Sequence, residues 1–125
     1  MKGCSRTLPT NPAVTAEPSP LRGEVWLVSF DPSVGGEIRK TRPAVVLSND
    51  TANAVLNRIQ VVPVSSQVDR LYPAEAAILL NGEPRKAMAD QISTVSMRRL
   101  QRRLGALGKV DLDAVLRAVR LQLGL

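Results

Sequence analysis

Within the six residues from Glu37 to Arg42 the chain gathers one carboxylate, Arg39, Lys40, Thr41 and Arg42, between Gly35-Gly36 and the proline that opens an apolar run. Guanidinium and ammonium groups this dense can hold anions, and Arg does so with two parallel hydrogen bonds. A pair of hydroxyls, Ser65-Ser66, ends another apolar run, Ile59 to Val64. Proton-transfer chemistry has few candidates. The chain has no histidine, which excludes His-containing metal sites and any paired-imidazole mechanism. Its carboxylates are few and scattered, which argues against two-metal hydrolysis. What remains is charge stabilisation by Arg, aided by hydroxyl groups.

Strands must position these groups. Glu24 to Phe30 is rich in Val, Trp, Leu and Phe and is closed by Asp31-Pro32, while Ala44 to Leu47 is an unbroken apolar run introduced by Arg42-Pro43. The two read as buried strands of one hairpin, with the charged loop at its turn. Thr51 to Arg58 reads as a polar connection to a third strand at Ile59 to Val64. Pro63 lacks a ladder donor and so predicts an edge position or a strand end there. A fourth strand, Ala76 to Leu80, meets the tight-turn pair Asn81-Gly82, and a segment near Lys86 to Ala89 returns antiparallel. Ile92 to Val95 predicts a further short strand. Ser96 then reads as the N-cap of a helical segment through Arg103, ended by Gly105 and Gly108. Asp111 reads as the cap of a last helix with Leu112, Val115, Leu116, Val119 and Leu123 on its apolar stripe and Arg117 and Arg120 off it. Short strands followed by a terminal helix predict a mainly β fold: a small, strongly curved antiparallel sheet or partly open barrel with a C-terminal helix.

At 125 residues the chain is long enough for one domain with a real core. Net charge is +6, and 13 of the 17 basic residues are Arg, so a polyanionic partner fits the composition as well as a solvated Arg-rich surface does. Only three aromatics occur, Trp26, Phe30 and Tyr72, so binding of single strands has to lean on charge and backbone more than on stacking. Cys4 stands alone and cannot form an intrachain disulfide. No run approaches the ~20 apolar residues of a membrane span, and cytoplasmic location is the default expectation. Residues 1 to 20, with Pro9, Pro12, Pro18 and Pro20 and few large apolar side chains, read as a disordered extension ahead of a single domain at 21 to 125.

Four motifs in order carry a family likeness: RGEVWLVSFDP at 22 to 32 with G-x-E after it, K-x-RPAVV-x-S at 40 to 48, VVPVSS at 61 to 66, and ADQI at 89 to 92 followed by V-x-x-x-RL at 95 to 100. Together these resemble the MazF/PemK family of toxin endoribonucleases over about residues 22 to 125. The resemblance implies an SH3-like barrel with a C-terminal helix. It implies a homodimer that cleaves single-stranded RNA at specific sequences without metal or cofactor, and a small acidic antitoxin of the MazE kind as partner. It assigns Arg42 to the phosphoryl oxygens and Ser65 to positioning the scissile phosphate or the attacking group, with Ser66 as a neighbouring phosphate contact. Glu37 matches the loop Glu that would orient Arg42, and Arg39 and Lys40 would grip RNA beside the cut. Some family members carry His before that Glu and Arg two residues before the Asp-Gln pair; here Gly36 and Met88 stand instead, which moves weight onto Arg42 and Ser65. Asp90 and Gln91 read as structural, and Arg98, Arg99, Arg102 and Arg103 as mostly surface. Two other readings stay open: a gyrase-binding toxin of related fold without catalysis, and an RNA-binding module that does not cleave.

Overall fold

A computed structural model describes residues 19–30 and 41–125. The expected extension at 1 to 20 therefore falls almost wholly outside the described residues, as do Gly36, Glu37, Arg39 and Lys40. The elements run β1 (Glu24–Ser29), β2 (Thr41–Val46), α1 (Asp50–Val55), β3 (Arg58–Ser65), β4 (Glu75–Leu80), β5 (Glu83–Met88), a 3-10 turn at Ala89–Gln91, β6 (Ser93–Ser96), a second 3-10 turn at Met97–Arg99, β7 (Leu100–Ala106) and α2 (Lys109–Leu123). The strands form one antiparallel sheet in the order β4-β5-β3-β2-β1-β7, with β6 pairing β3.

Alternation along the central strands sends neighbouring residues to two separate cores. Val25, Val45, Val62, Val64 and Ala87 face α2, where Val115 and Ala118 meet them in a first core, while Val28, Ala44, Val46, Ile59 and Val61 face the other way into a second core, covered by Val95, Trp26, Phe30, Met97 and Leu100. The unbroken apolar runs of β2 and β3 follow from this, since both faces are buried. Each fully buried Val or Ile contributes about 1.5–3 kcal/mol. Gly23, at φ +92, passes so close to α2 that a Cβ would lie 3.2 Å from Leu112 Cδ2, which makes it the pivot between the chain entry and the helix.

Several expectations need correction. Pro63 is buried in β3, opposite Ala44, and β3 is an interior strand. It is tolerated because β3 changes partner there: the last rung to β6 is Val61 with Ser93 and the first to β5 is Val64 with Ala87, so no rung on that side needs a Pro63 donor. The polar connection at 51 to 58 contains α1, whose N-cap Asn49 accepts from Ala52 N at 2.7 Å. Asn53 in it is 1% exposed, with its amide nitrogen donating to Pro20 O and Ser48 O and its oxygen accepting from Ser48 Oγ.

The helical segment from Ser96 to Arg103 is one 3-10 turn followed by strand β7. Ser96 Oγ does cap that turn, accepting from Arg98 N. Two bulges in the β1–β7 pairing, between Val25 and Trp26 and between Leu27 and Val28, break the period of two, so that Leu100 packs on the second core and Leu104 on the first. Their four-residue spacing imitates a helix. Helix α2 starts at Lys109 with Gly108 as its N-cap, and the Asp111 carboxylate instead accepts from Leu79 N of β4 at 2.9 Å. Leu123 is 52% exposed, and Ala118 takes a place in the buried stripe. Arg117 and Arg120 are exposed as expected.

Candidate functional site

The β2–β3 ladder fixes where the two principal candidates stand. Its rungs run Val46 to Val61, Val45 to Val62 and Ala44 to Pro63. The ladder ends there, and two residues past its last rung stand Arg42 on β2 and Ser65 on β3, on the sheet face that carries Ala44 and Pro63. On its far side Ser65 pairs with Lys86 of β5. Ser65 and Lys86 thus form a cross-strand row that leads toward Arg42 at the end of the second core.

Arg42 and Ser65 line one cleft of about 730 Å3, together with Thr41, Pro43, Val64, Ser66, Gln67, Arg85 and Met88. The described lining offers two guanidinium groups and three hydroxyls and no carboxylate. Arg42 also borders a second recess of about 340 Å3 with Phe30, Pro63, Gln91, Ile92 and Ser93. Among the described residues the Arg42 guanidinium has no hydrogen-bond or ion-pair partner. Ser65 is half-buried, and its Oγ accepts from Gln67 N at 3.1 Å, which fixes one lone pair and leaves the hydroxyl proton free to be donated. Ser66 is exposed beside it.

Of the residues singled out in the sequence, the fold thus brings Arg42, Ser65 and Ser66 together, while Glu37, Arg39 and Lys40 lie outside the described residues. Arg85 was not foreseen. It borders the cleft on β5, with Nη2 donating to Glu83 Oε1 at 2.9 Å and Nη1 to Pro84 O at 2.7 Å. The Asn81-Gly82 turn fixes β4 against β5, but only the long-range pairing of β5 with β3 carries Arg85 to Ser65. Met88 is buried, and its sulfur accepts from Gln91 Nε2 at 3.7 Å.

Behind Ser65 lies a buried ion pair. Lys86 Nζ donates to Glu75 Oε1 and to Arg70 O, both at 2.9 Å, and both charged side chains are 9% exposed. Burial pushes the Glu75 carboxyl up, but the Tyr72 amide and the Lys86 ammonium outweigh it and hold the group below its ordinary value. Glu24, at the start of β1, is balanced in the same way: burial raises it, while Leu21 N, Trp26 Nε1 and Arg103 lower it further than burial lifts it. Among the described residues no three His, Cys, Asp or Glu side chains gather into a metal-binding group.

A cleft of this chemistry suits a phosphate chain, and comparison with known proteins gives it a family. Residues 21–123 match the family model described as PemK-like, MazF-like toxin of type II toxin-antitoxin system. The chain belongs to this toxin family. It is 39% identical over 115 residues to endoribonuclease MazF9 of Mycobacterium tuberculosis, covering 83% of this chain and 96% of that one. The endoribonuclease toxin MazF of Escherichia coli K12 is 37% identical over 81 residues, 63% of this chain and 70% of that one. Among solved structures, MazF of Deinococcus radiodurans superposes with a TM-score of 0.75 at 28% identity, over 87% of this chain and 100% of that one. The MazE-MazF structure from the same organism gives 0.73 at 27%, over 87% and 99%. The curled antiparallel sheet with its C-terminal helix is the MazF fold. No helix among the described residues is long and apolar enough to cross a membrane.

Proposed function

We propose that this toxin is a metal-independent, sequence-specific endoribonuclease acting on single-stranded RNA, with Arg42 and Ser65 as its catalytic residues. The observation that supports the assignment is the cleft that Arg42 and Ser65 both line, which has no described carboxylate. Cleavage through the 2′-hydroxyl forms the O2′–P bond and breaks the P–O5′ bond, so negative charge builds on the phosphoryl oxygens. The permanently charged Arg42 guanidinium stabilises that charge. The Ser65 hydroxyl donates to a phosphate oxygen or orients the attacking group, Ser66 holds a neighbouring phosphate, Glu37 orients Arg42, and Arg39 and Lys40 grip the RNA flanking the cut. With no His in the chain, catalysis leans on positioning and charge more than on tuned proton transfer.

The relatives named endoribonucleases and the MazE-MazF structure support two further parts of the reading. The toxin works in the cytoplasm as a homodimer, and an acidic antitoxin segment neutralises it by covering the Arg residues that hold RNA. Residues 21 to 125 form the working domain, and no cofactor is called for.

The test is to incubate the purified protein, free of antitoxin and with EDTA present, with a long single-stranded RNA and to map the fragment 5′ ends. Discrete cuts are expected from the wild type, and Arg42→Ala and Ser65→Ala each slow them about 100-fold or more while leaving the unfolding transition in place. Binding without cutting by the folded wild type overturns the enzymatic reading in favour of an RNA-binding or protein-binding toxin.

A further inference from the structure

Tyr72 is the one aromatic side chain that the described structure presents to solvent. Trp26 and Phe30 pack on the second core, whereas Tyr72 is 52% exposed. It sits in the loop from Ser66 to Ala74, which leaves the cleft at Ser65 and returns to β4 at Glu75. Glu75 pairs with Met88, itself a lining residue, so both ends of the loop are fastened to the cleft. Glu75 and Tyr72 exchange bonds across the turn: Tyr72 N donates to Glu75 Oε1 and Glu75 N to Tyr72 O, both at 2.9 Å.

Two cations attend the ring. Lys86 Nζ is 5.5 Å from its centroid and Arg70 Cζ 5.9 Å. They differ in freedom. Lys86 is buried and held by Glu75 and Arg70 O, and it stands opposite Ser65, so it sets the ring beside the catalytic row. Arg70 is exposed, has no ion-pair partner among the described residues, and is tied only to the phenol oxygen at 3.2 Å.

We propose that Tyr72 and Arg70 form a second substrate subsite, in which the base of a nucleotide flanking the cut stacks on the Tyr72 ring and Arg70 pairs with the adjoining phosphate. Every nucleobase offers a π-face, so this subsite adds affinity without choosing sequence. Lys86 and Glu75 act as positioning residues that keep the ring from collapsing into the cleft. The proposal rests on the ribonuclease reading above.

The test pairs protein and RNA changes in a double-mutant cycle. Wild type, Tyr72→Ala and Tyr72→Phe are given short single-stranded oligonucleotides containing the mapped cut site, intact or with one abasic nucleotide scanned through the flanking positions. The intact oligonucleotide with wild type is the control for the parent reading: if it is not cut, the ribonuclease assignment fails. If it is cut, Tyr72→Ala is expected to raise KM about 5- to 100-fold with kcat and cut position unchanged, and Tyr72→Phe to behave as wild type. One abasic position should raise the wild-type KM by a similar factor and have no further effect in Tyr72→Ala. Equal KM for wild type and Tyr72→Ala, or additive losses at every abasic position, overturns the subsite and leaves the parent reading standing. A fall in kcat with KM unchanged, or loss in Tyr72→Phe equal to that in Tyr72→Ala, overturns it too, since stacking needs neither the phenol oxygen nor the transition state.

Discussion

The guanidinium of Arg42 and the hydroxyl of Ser65 differ in how much freedom the fold leaves them. Ser65 is steered by Gln67 N, whereas among the described residues Arg42 is held by its backbone, through its rung to Val28 and the proline after it. Arg42→Lys therefore keeps the charge and loses the planar fork, and cleavage should fall nearly as far as in Arg42→Ala, read as kcat in the oligonucleotide assay. Recovery of more than a tenth of the wild-type rate would show that charge alone suffices. Arg42 and Ser65 were legible because each sits in a short motif at the end of an apolar run. The Lys86–Glu75 pair was not. Its members are 11 residues apart on different strands, and each alone reads as a surface charge. The one available signal was the Asn81-Gly82 turn, whose register sets Lys86 opposite Ala77 and diagonal to Glu75.

At the scale of elements, that pair joins the β3–β4 loop to the β4–β5 hairpin, and its contribution depends on pH. The Glu75 carboxyl titrates below its ordinary value of 4.5 in the folded protein, so its stabilisation is complete above that value and is lost as pH falls through the lowered folded pKa. Urea midpoints should drop steeply below pH 4.5 in the wild type and less steeply in Glu75→Gln. Near neutrality, Lys86→Met should cost about 3 kcal/mol because it strands a buried carboxylate, and adding Glu75→Leu should recover most of that loss. A double variant as unstable as the sum of its parts would count against a buried pair. Most strands were legible here from apolar runs and turn pairs. The helix expected after Ser96 was not a strand in the sequence because its bulges erase the alternation, and the role of Asp111 depends on β4 arriving beside α2.

At the scale of the whole molecule, the curl of the sheet brings its two outermost strands, β4 and β7, within reach of each other. Asn81, at φ +53 in the β4–β5 turn, donates from Nδ2 to Leu104 O of β7 at 3.1 Å, and a Cβ at Gly105 would come within 3.0 Å of its Oδ1. Asn81→Gly keeps the backbone permissive and removes the bond, so it should cost about 1 kcal/mol in urea unfolding; Asn81→Ala adds the strain of positive φ and should cost more. A second whole-molecule property is charge. Binding of an uncleavable 2′-deoxy analogue at the cut site should weaken with salt, and Arg42→Ala should reduce the slope of log K against log salt by about 0.7, while Arg117→Ala on α2 leaves it unchanged. Equal effects from both would mean that diffuse charge, not the cleft, holds the RNA. The net +6 was readable from composition, but which arginines meet a ligand was not, because it is set by strand pairings far apart in sequence.

The outermost strands also bear on how this protein behaves when concentrated. A sheet that ends on bare backbone recruits strands from other molecules and grows into insoluble fibrils. Here the Asp111 carboxylate occupies Leu79 N on β4, and the Asn81 amide occupies Leu104 O on β7. Each terminal strand thus carries a side chain where an intruding strand would bond, so two residues outside the cleft blunt the edges of the sheet against recruitment of further strands.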